Sequence, residues 1–139
     1  MIVLDTNIIA ALMLSVPNEK VIEWLDCQQH HHLYLPSIVI AEVRFGLQRM
    51  PNGQRQAAFL KQFSSLLRTL FVGRVLGFAQ QEAEMYAILR AVREAQGRPM
   101  SICDAQIAAI ARVHGFALAT RNMKDFQECG IVLINPFDE

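Results

Sequence analysis

Ile2-Val3-Leu4-Asp5-Thr6-Asn7-Ile8-Ile9-Ala10-Ala11-Leu12 opens on an apolar triplet, passes through one acid, and continues with apolar residues at helical spacing. The triplet reads as a short buried strand, and residues 6 to about 14 read as a helix that begins on polar side chains. Working outward, the same alternation recurs. Leu33–Leu35, Val72–Leu76, Phe116–Ala119 and Ile131–Ile134 are further strand candidates. Between them, Val21, Ile22, Trp24 and Leu25 pattern one helix, and Ile38, Ile40, Ala41, Phe45 and Leu47 a second. Ala58, Leu60, Phe63, Leu66 and Leu67 pattern a third, expected to form an antiparallel hairpin with the second across Pro51-Asn52-Gly53. Two more run from about Ala79 to Ala95 and from Ser101 to His114, with Gly115 as the stop. Short buried strands alternating with helices imply a parallel sheet covered on both faces. The expected fold is α/β, a three-layer α/β/α sandwich around a parallel sheet of four to five strands, with residues 1–139 as one domain.

Composition bounds the chemistry. With 139 residues, 53% of them apolar, the chain can bury a continuous core. No apolar stretch approaches the ~20 residues that cross a bilayer, and the N-terminus has no basic segment ahead of a long apolar run, so no membrane association and a cytoplasmic location are expected. Cys27, Cys103 and Cys129 are widely spaced and odd in number, which fits neither a disulfide framework nor a paired-cysteine metal motif; they are expected to be reduced and mostly buried. The 13 basic and 13 acidic residues cancel, so any nucleic-acid binding must come from local asymmetry.

Three acids stand out. Asp5 follows a strand and precedes a helix, where an acid can cap the helix or face a ligand at the carboxyl edge of the sheet. Glu42 has Ile38, Val39, Phe45 and Gly46 as its helical neighbours, which places a carboxylate on the apolar stripe. Neither Arg44 nor Arg49 lies at the spacing that would pair with it. Asp104 completes Ser101-Ile102-Cys103-Asp104, the form of a capping box, yet shares a face with Ile107 and Ala108. Three acids projected to one sheet edge repel unless cations neutralise them. A set of hard oxygen donors without Cys or His at ligand spacing suits Mg²⁺ or Mn²⁺. Such an ion can acidify a water and neutralise charge developing on a phosphodiester, which is the chemistry of nucleic-acid hydrolysis.

Leu4-Asp5-Thr6-Asn7, Ser37 to Glu42, Ile102-Cys103-Asp104-Ala105 and Ala119-Thr120-Arg121-Asn122 with Asp125-Phe126 together resemble the PIN-domain family. Their order and spacing are similar to the VapC toxins of bacterial type II toxin–antitoxin modules, in particular the FitB-like subgroup, over essentially the whole chain. The resemblance implies an endoribonuclease dependent on Mg²⁺ or Mn²⁺, a homodimer, an RNA substrate, and a cognate VapB-like antitoxin through which any DNA contact is made. It also implies Asp5, Glu42 and Asp104 as principal acids and metal ligands, with Thr6 or Asn7 and Thr120 in support. Asn122 departs from the Asp that many relatives carry. An asparagine offers an oxygen without a charge, which leaves Asp125, three residues on, as a second candidate for the missing carboxylate.

Arg44, Arg49, Arg121 and Lys124 are candidate phosphate contacts, with Arg121 the strongest of them. His30-His31-His32 lacks the spacing of a shared ligand face and reads as a solvated loop. A haloacid-dehalogenase-like phosphatase also places Asp after its first strand, but it needs a second Asp where Asn7 stands. A PIN-fold binding or assembly module with a site decayed at Asn122 is the non-enzymatic alternative.

Overall fold

The computed structural model describes residues 1–138, so Glu139 of the expected 1–139 domain lies outside the described residues. Five strands form one sheet: β1 (Ile2–Leu4), β2 (Leu33–Pro36), β3 (Val75–Leu76), β4 (Ala117–Ala119) and β5 (Leu133–Ile134). Their order is β3-β2-β1-β4-β5, and every pairing is parallel. Six helices join them: α1 (Thr6–Leu12), α2 (Glu19–Asp26), α3 (Ser37–Gln48), α4 (Gln54–Thr69), α5 (Gln80–Ala95) and α6 (Ile102–His114).

The chain order explains the layers. From β1 through β2 to β3 the chain walks toward one edge, and it then returns across β1 to add β4 and β5 on the other side. Parallel crossovers are right-handed, so a reversal of direction puts α5 and α6 on the opposite face from α1 to α4. The expected three-layer sandwich is therefore present, with five parallel strands. β1 lies in the centre, with Ile2 opposite both Leu33 and Ala117 and Leu4 opposite Ala119. The carboxyl ends of β1 and β4 adjoin where the order reverses, the position at which open α/β sheets leave a crevice for ligands.

Val3, Leu4, Ile8, Ile9, Leu33, Leu35, Phe63, Phe71, Ile107, Ile110 and Leu118 have no exposed surface, and they fill the space between the layers. α6 is buried almost all round through Ala105, Ile107, Ala108, Ala109, Ile110 and Ala111. Its small alanines let it lie close to its neighbours. Gly115 ends it with φ 69°, a left-handed conformation that glycine adopts without strain. Among the described residues no helix is long and apolar enough to cross a membrane.

Several expectations are corrected. α1 stops at Leu12 instead of about 14, because Leu14 and Val16 find no packing surface and stand 55% and 82% exposed. β3 contains only Val75 and Leu76, since a turn at Phe71–Arg74 with Gly73 at φ 73° occupies the first part of the expected strand. β5 likewise begins at Leu133: Val132 still accepts the Leu118 N–H at 2.9 Å, but its side chain stands 70% exposed and finds no packing surface. His30–His32 forms one turn of 3-10 helix in place of a loop. Of the cysteines only Cys129 is buried; Cys27 is exposed at the end of α2 and Cys103 is half-buried.

Candidate acid site at the reversal of strand order

Asp5 is the residue on which β1 ends and α1 begins, and it serves as the helix cap as well as facing the crevice. One carboxylate oxygen, Oδ1, accepts the Thr6 backbone N–H at 2.7 Å. The other, Oδ2, accepts the Thr120 hydroxyl at 2.8 Å and the Asn7 amide at 3.2 Å. The two readings of Asp5 left open by the sequence are thus compatible. Its side chain is buried, and burial is the main reason its carboxyl is held above the ordinary carboxylate value. The hydrogen bonds from Thr120, Thr6 and Asn7 pull it down, while the charge on Glu42 pushes it up.

Glu42 reaches the same place from α3. Its Oε1 accepts the Thr6 hydroxyl at 2.8 Å, which ties α3 to the start of α1. The apolar stripe expected around it is only partial: Val39 is buried, but Phe45 is 62% exposed, so Glu42 sits at the border of the core and is half-buried. Neither neighbouring cation approaches it. Arg44 donates to the Ser64 hydroxyl at 3.2 Å and lies over the Phe63 ring, and Arg49 lies over the Phe45 ring.

Asp104 comes from the first turn of α6, where its backbone N–H donates to the Ser101 hydroxyl at 3.1 Å. That is one half of the expected capping box. Its carboxyl is pushed up to about 6, first by burial and next by the charge on Asp5, with smaller upward pushes from Asp125 and Glu42 against a downward one from Ser101. Cys103, next along α6, has its thiol pushed up by burial and then by Glu42 and Asp104. Four carboxylates, from the cap of α1, from α3, from α6 and from the segment after β4, therefore share one electrostatic neighbourhood.

Thr120 and Asn7 hold this neighbourhood together. Thr120 has no exposed surface, and its hydroxyl also accepts from the Asn7 amide at 3.3 Å and the Asn122 backbone N–H at 3.0 Å. Asn7 accepts the Arg121 backbone N–H at 3.1 Å, so one amide side chain bridges the ends of β1 and β4. Asn122 is exposed and meets Thr120 through its backbone. Asp125 is exposed on a 3-10 turn, Met123–Phe126. Arg121 is exposed with its guanidinium 4.8 Å from the Phe137 ring centre, while Lys124 is exposed beside it.

No cation partner compensates the acids: among the described residues the one ion pair joins Arg98 to Glu128, outside the site. Also among the described residues, no three His, Cys, Asp or Glu side chains are gathered closely enough to hold a metal ion by themselves. An uncompensated, oxygen-only donor set of this kind fits Mg²⁺ or Mn²⁺, of which Mg²⁺ keeps several waters and takes only one or two protein carboxylates. A soft-metal or cage-like site does not fit it. Beside Thr6 and Glu42 an open apolar cleft of about 290 Å³ is lined by Ala10, Met13, Val43, Leu47, Met50 and Phe59.

Fold and site together define an α/β/α protein with an acid cluster at the reversal of its sheet. Residues 2–130 match the PIN domain. The chain is 40% identical over 138 residues to the VapC ribonuclease Y4jK of Sinorhizobium fredii, covering 99% of both, and 33% identical over 139 residues to the toxin FitB of Neisseria gonorrhoeae, covering all of both. It superposes on a chain in the crystal structure of FitAcB from Neisseria gonorrhoeae with a TM-score of 0.94 at 33% identity, covering 100% of each. The chain belongs to the PIN domain family, in its VapC and FitB-like branch.

Proposed function

We propose that this chain is an endoribonuclease dependent on Mg²⁺ or Mn²⁺ and the toxin component of a VapBC-like type II toxin–antitoxin module. The observation that carries the reading is that Asp5 and Glu42, joined through Thr6, lie within electrostatic reach of Asp104 at the sheet reversal with no protein cation to neutralise them. Asp5 and Asp104 are the residues that would hold the ion, with Glu42 beside them. When bound, the ion would supply Lewis-acid stabilisation of charge on the phosphodiester and a more acidic water. The chain's own contribution is orientation. Both oxygens of Asp5 are fixed by three donors, and Thr6 fixes Glu42, so the site needs little rearrangement when substrate arrives. Asp125 takes the place of the carboxylate absent at Asn122, since its charge acts on Asp104. Arg121, exposed at the rim, meets the RNA phosphates.

The partner set follows the relatives. A VapB-like antitoxin covers the acids and enters the apolar cleft beside Glu42, the toxin is a homodimer, and DNA is reached only through the antitoxin. The chain's zero net charge agrees with that last point, because it gives no bulk attraction to a duplex.

Purified protein incubated with mixed tRNA and ribosomal RNA should cleave it in Mg²⁺ or Mn²⁺ and stop in EDTA. Intact RNA after incubation with folded, antitoxin-free protein would count for the binding-module alternative, the reading that Asn122 favours.

The raised Asp104 carboxyl makes a second prediction, for the metal-free protein. Its folded value of about 6 lies above the unfolded value of 3.8, so the folded chain holds this proton more tightly. The resulting stability is complete below about pH 4 and is lost as pH rises through 6. In EDTA, urea unfolding should therefore show lower stability at pH 7 than at pH 5, by on the order of 1 kcal/mol once solvent screening of this half-exposed group is allowed for. Saturating Mn²⁺ should recover the loss at pH 7. A metal-free protein more stable at pH 7 would contradict the crowding of acids.

A further inference from the structure

The backbone of the segment that carries Asp125 is held by arginines on α5 and α6. Arg93, on α5, is only 4% exposed. Its Nη1 donates to the backbone carbonyls of Asp125 and Gln127, each at 3.0 Å, and lies 3.8 Å from the Cys129 Sγ. Its Nε donates to the Arg98 carbonyl at 2.8 Å. From α6, Arg112 Nη1 donates to the Cys129 carbonyl at 2.7 Å.

Among the described residues neither guanidinium forms an ion pair with a carboxylate. A buried cation whose acceptors are all neutral is costly to desolvate, and apolar residues of similar volume commonly stabilise such a place as well or better. What the guanidinium fork adds is geometry, since it fixes several carbonyls at set angles. The segment needs such fixing. Glu128 has φ 62°, unusual for a residue with a side chain, and Gly130 has φ 72°. A Cβ at Gly130 would lie 1.9 Å from Arg112 Nη1, so this backbone passes directly against the arginine. Ahead of both, Phe126 is buried and anchors the 3-10 turn in the core.

We infer that Arg93 and Arg112 are positioning residues of the acid site, clamping the backbone of residues 125–129 so that the Asp125 carboxylate is presented to the bound divalent ion. The Asp125 N–H bond to the Asn122 carbonyl at 3.1 Å and the Asn122 N–H bond to the Thr120 hydroxyl at 3.0 Å join this backbone to Asp5. The inference rests on the reading that Asp125 belongs to that site. Arg93 works through carbonyls and touches none of the acid side chains, so its effect on the ion passes through the segment that carries Asp125, and the two residues should not act independently.

The test is Mn²⁺ affinity, measured by electron paramagnetic resonance on the purified chain. Arg93→Lys keeps the charge, but one ammonium cannot span the Arg98 carbonyl and the pair at Asp125 and Gln127. Arg93→Lys and Asp125→Asn should each weaken Mn²⁺ binding about tenfold, and the double variant should also lie about tenfold down, in place of the roughly hundredfold that independent effects would give. Arg112→Gln, made from the exposed side of the clamp, should weaken binding about threefold with the fold intact by circular dichroism.

A folded Arg93→Lys with wild-type affinity would overturn the clamp, as would an additive double variant. If Arg93→Lys does not fold, unchanged affinity in Arg112→Gln overturns it. Unchanged affinity in Asp125→Asn, alongside a loss in Asp5→Asn, would remove Asp125 from the site and end the inference while the metal-site reading stood. Wild-type protein that binds no Mn²⁺ would end both.

Discussion

Asp5→Asn should reduce RNA cleavage by on the order of a hundredfold or more, because even the outer hydrogen-bond partners of a metal ligand are worth roughly 10–100-fold. The same variant should lose only on the order of 1 kcal/mol in EDTA, since the amide nitrogen in place of Oδ2 cannot accept from Thr120 and Asn7, and loss of the charge offsets part of that cost. Asparagine caps helices as well as aspartate does, so the bond from the Thr6 N–H can persist. The substitution also removes a charge that burial and Glu42 both disfavour. A loss of function far larger than the loss of stability is the mark of a group kept for its charge. Paired measurement of cleavage in Mg²⁺ and of the urea midpoint in EDTA checks it. A variant that cut RNA at the wild-type rate would remove Asp5 from the chemistry. One that lost activity only in proportion to a fall in midpoint would make Asp5 a structural cap.

The sequence revealed this site unevenly, and the reasons are physical. Asp5 and Asp104 were visible because each stands where an apolar run changes its period, and a backbone that switches from strand to helix leaves such a residue at a sheet edge or a helix start. Glu42 was visible as a charge among apolar helical neighbours, although the exposure of Phe45 shows that the stripe runs out beside it. Arg93 carried the same signal and was missed. It lies four residues after buried Leu89 on α5, a cation on the inward stripe of its helix, with acceptors more than thirty residues further along the chain. The bridge made by Asn7 was hidden for the same reason, since no local pattern announces a contact with Thr120, 113 residues away. β3 and β5 were overextended because Val72 and Val132 have strand-like side chains but stand 63% and 70% exposed.

Thr120→Val should show whether the hydroxyl at the end of β4 tunes the principal acid or merely fills space. Thr120 is fully buried, and its hydrogen bond is the strongest of the influences that lower the Asp5 carboxyl. Valine keeps the branched shape but leaves Asp5 Oδ2 with only the Asn7 amide. The expected loss in neutral EDTA is about 1–3 kcal/mol, the usual range for a buried polar group deprived of its partner. Cleavage should fall about 10–100-fold, as for other partners of metal ligands. Without the hydroxyl the Asp5 carboxyl rises further above its unfolded value, so the folded chain favours the protonated acid still more. Its contribution is then present at low pH and lost as pH rises, which makes the valine variant's deficit in stability larger at pH 8 than at pH 5. Cleavage should show the converse, with part of the lost activity returning at higher pH as Asp5 ionises. Thr120→Ser, which restores the hydroxyl without the methyl group, should recover the wild-type pH profile. A deficit in the valine variant that is the same at pH 5 and pH 8, and that serine does not repair, would assign Thr120 to packing alone.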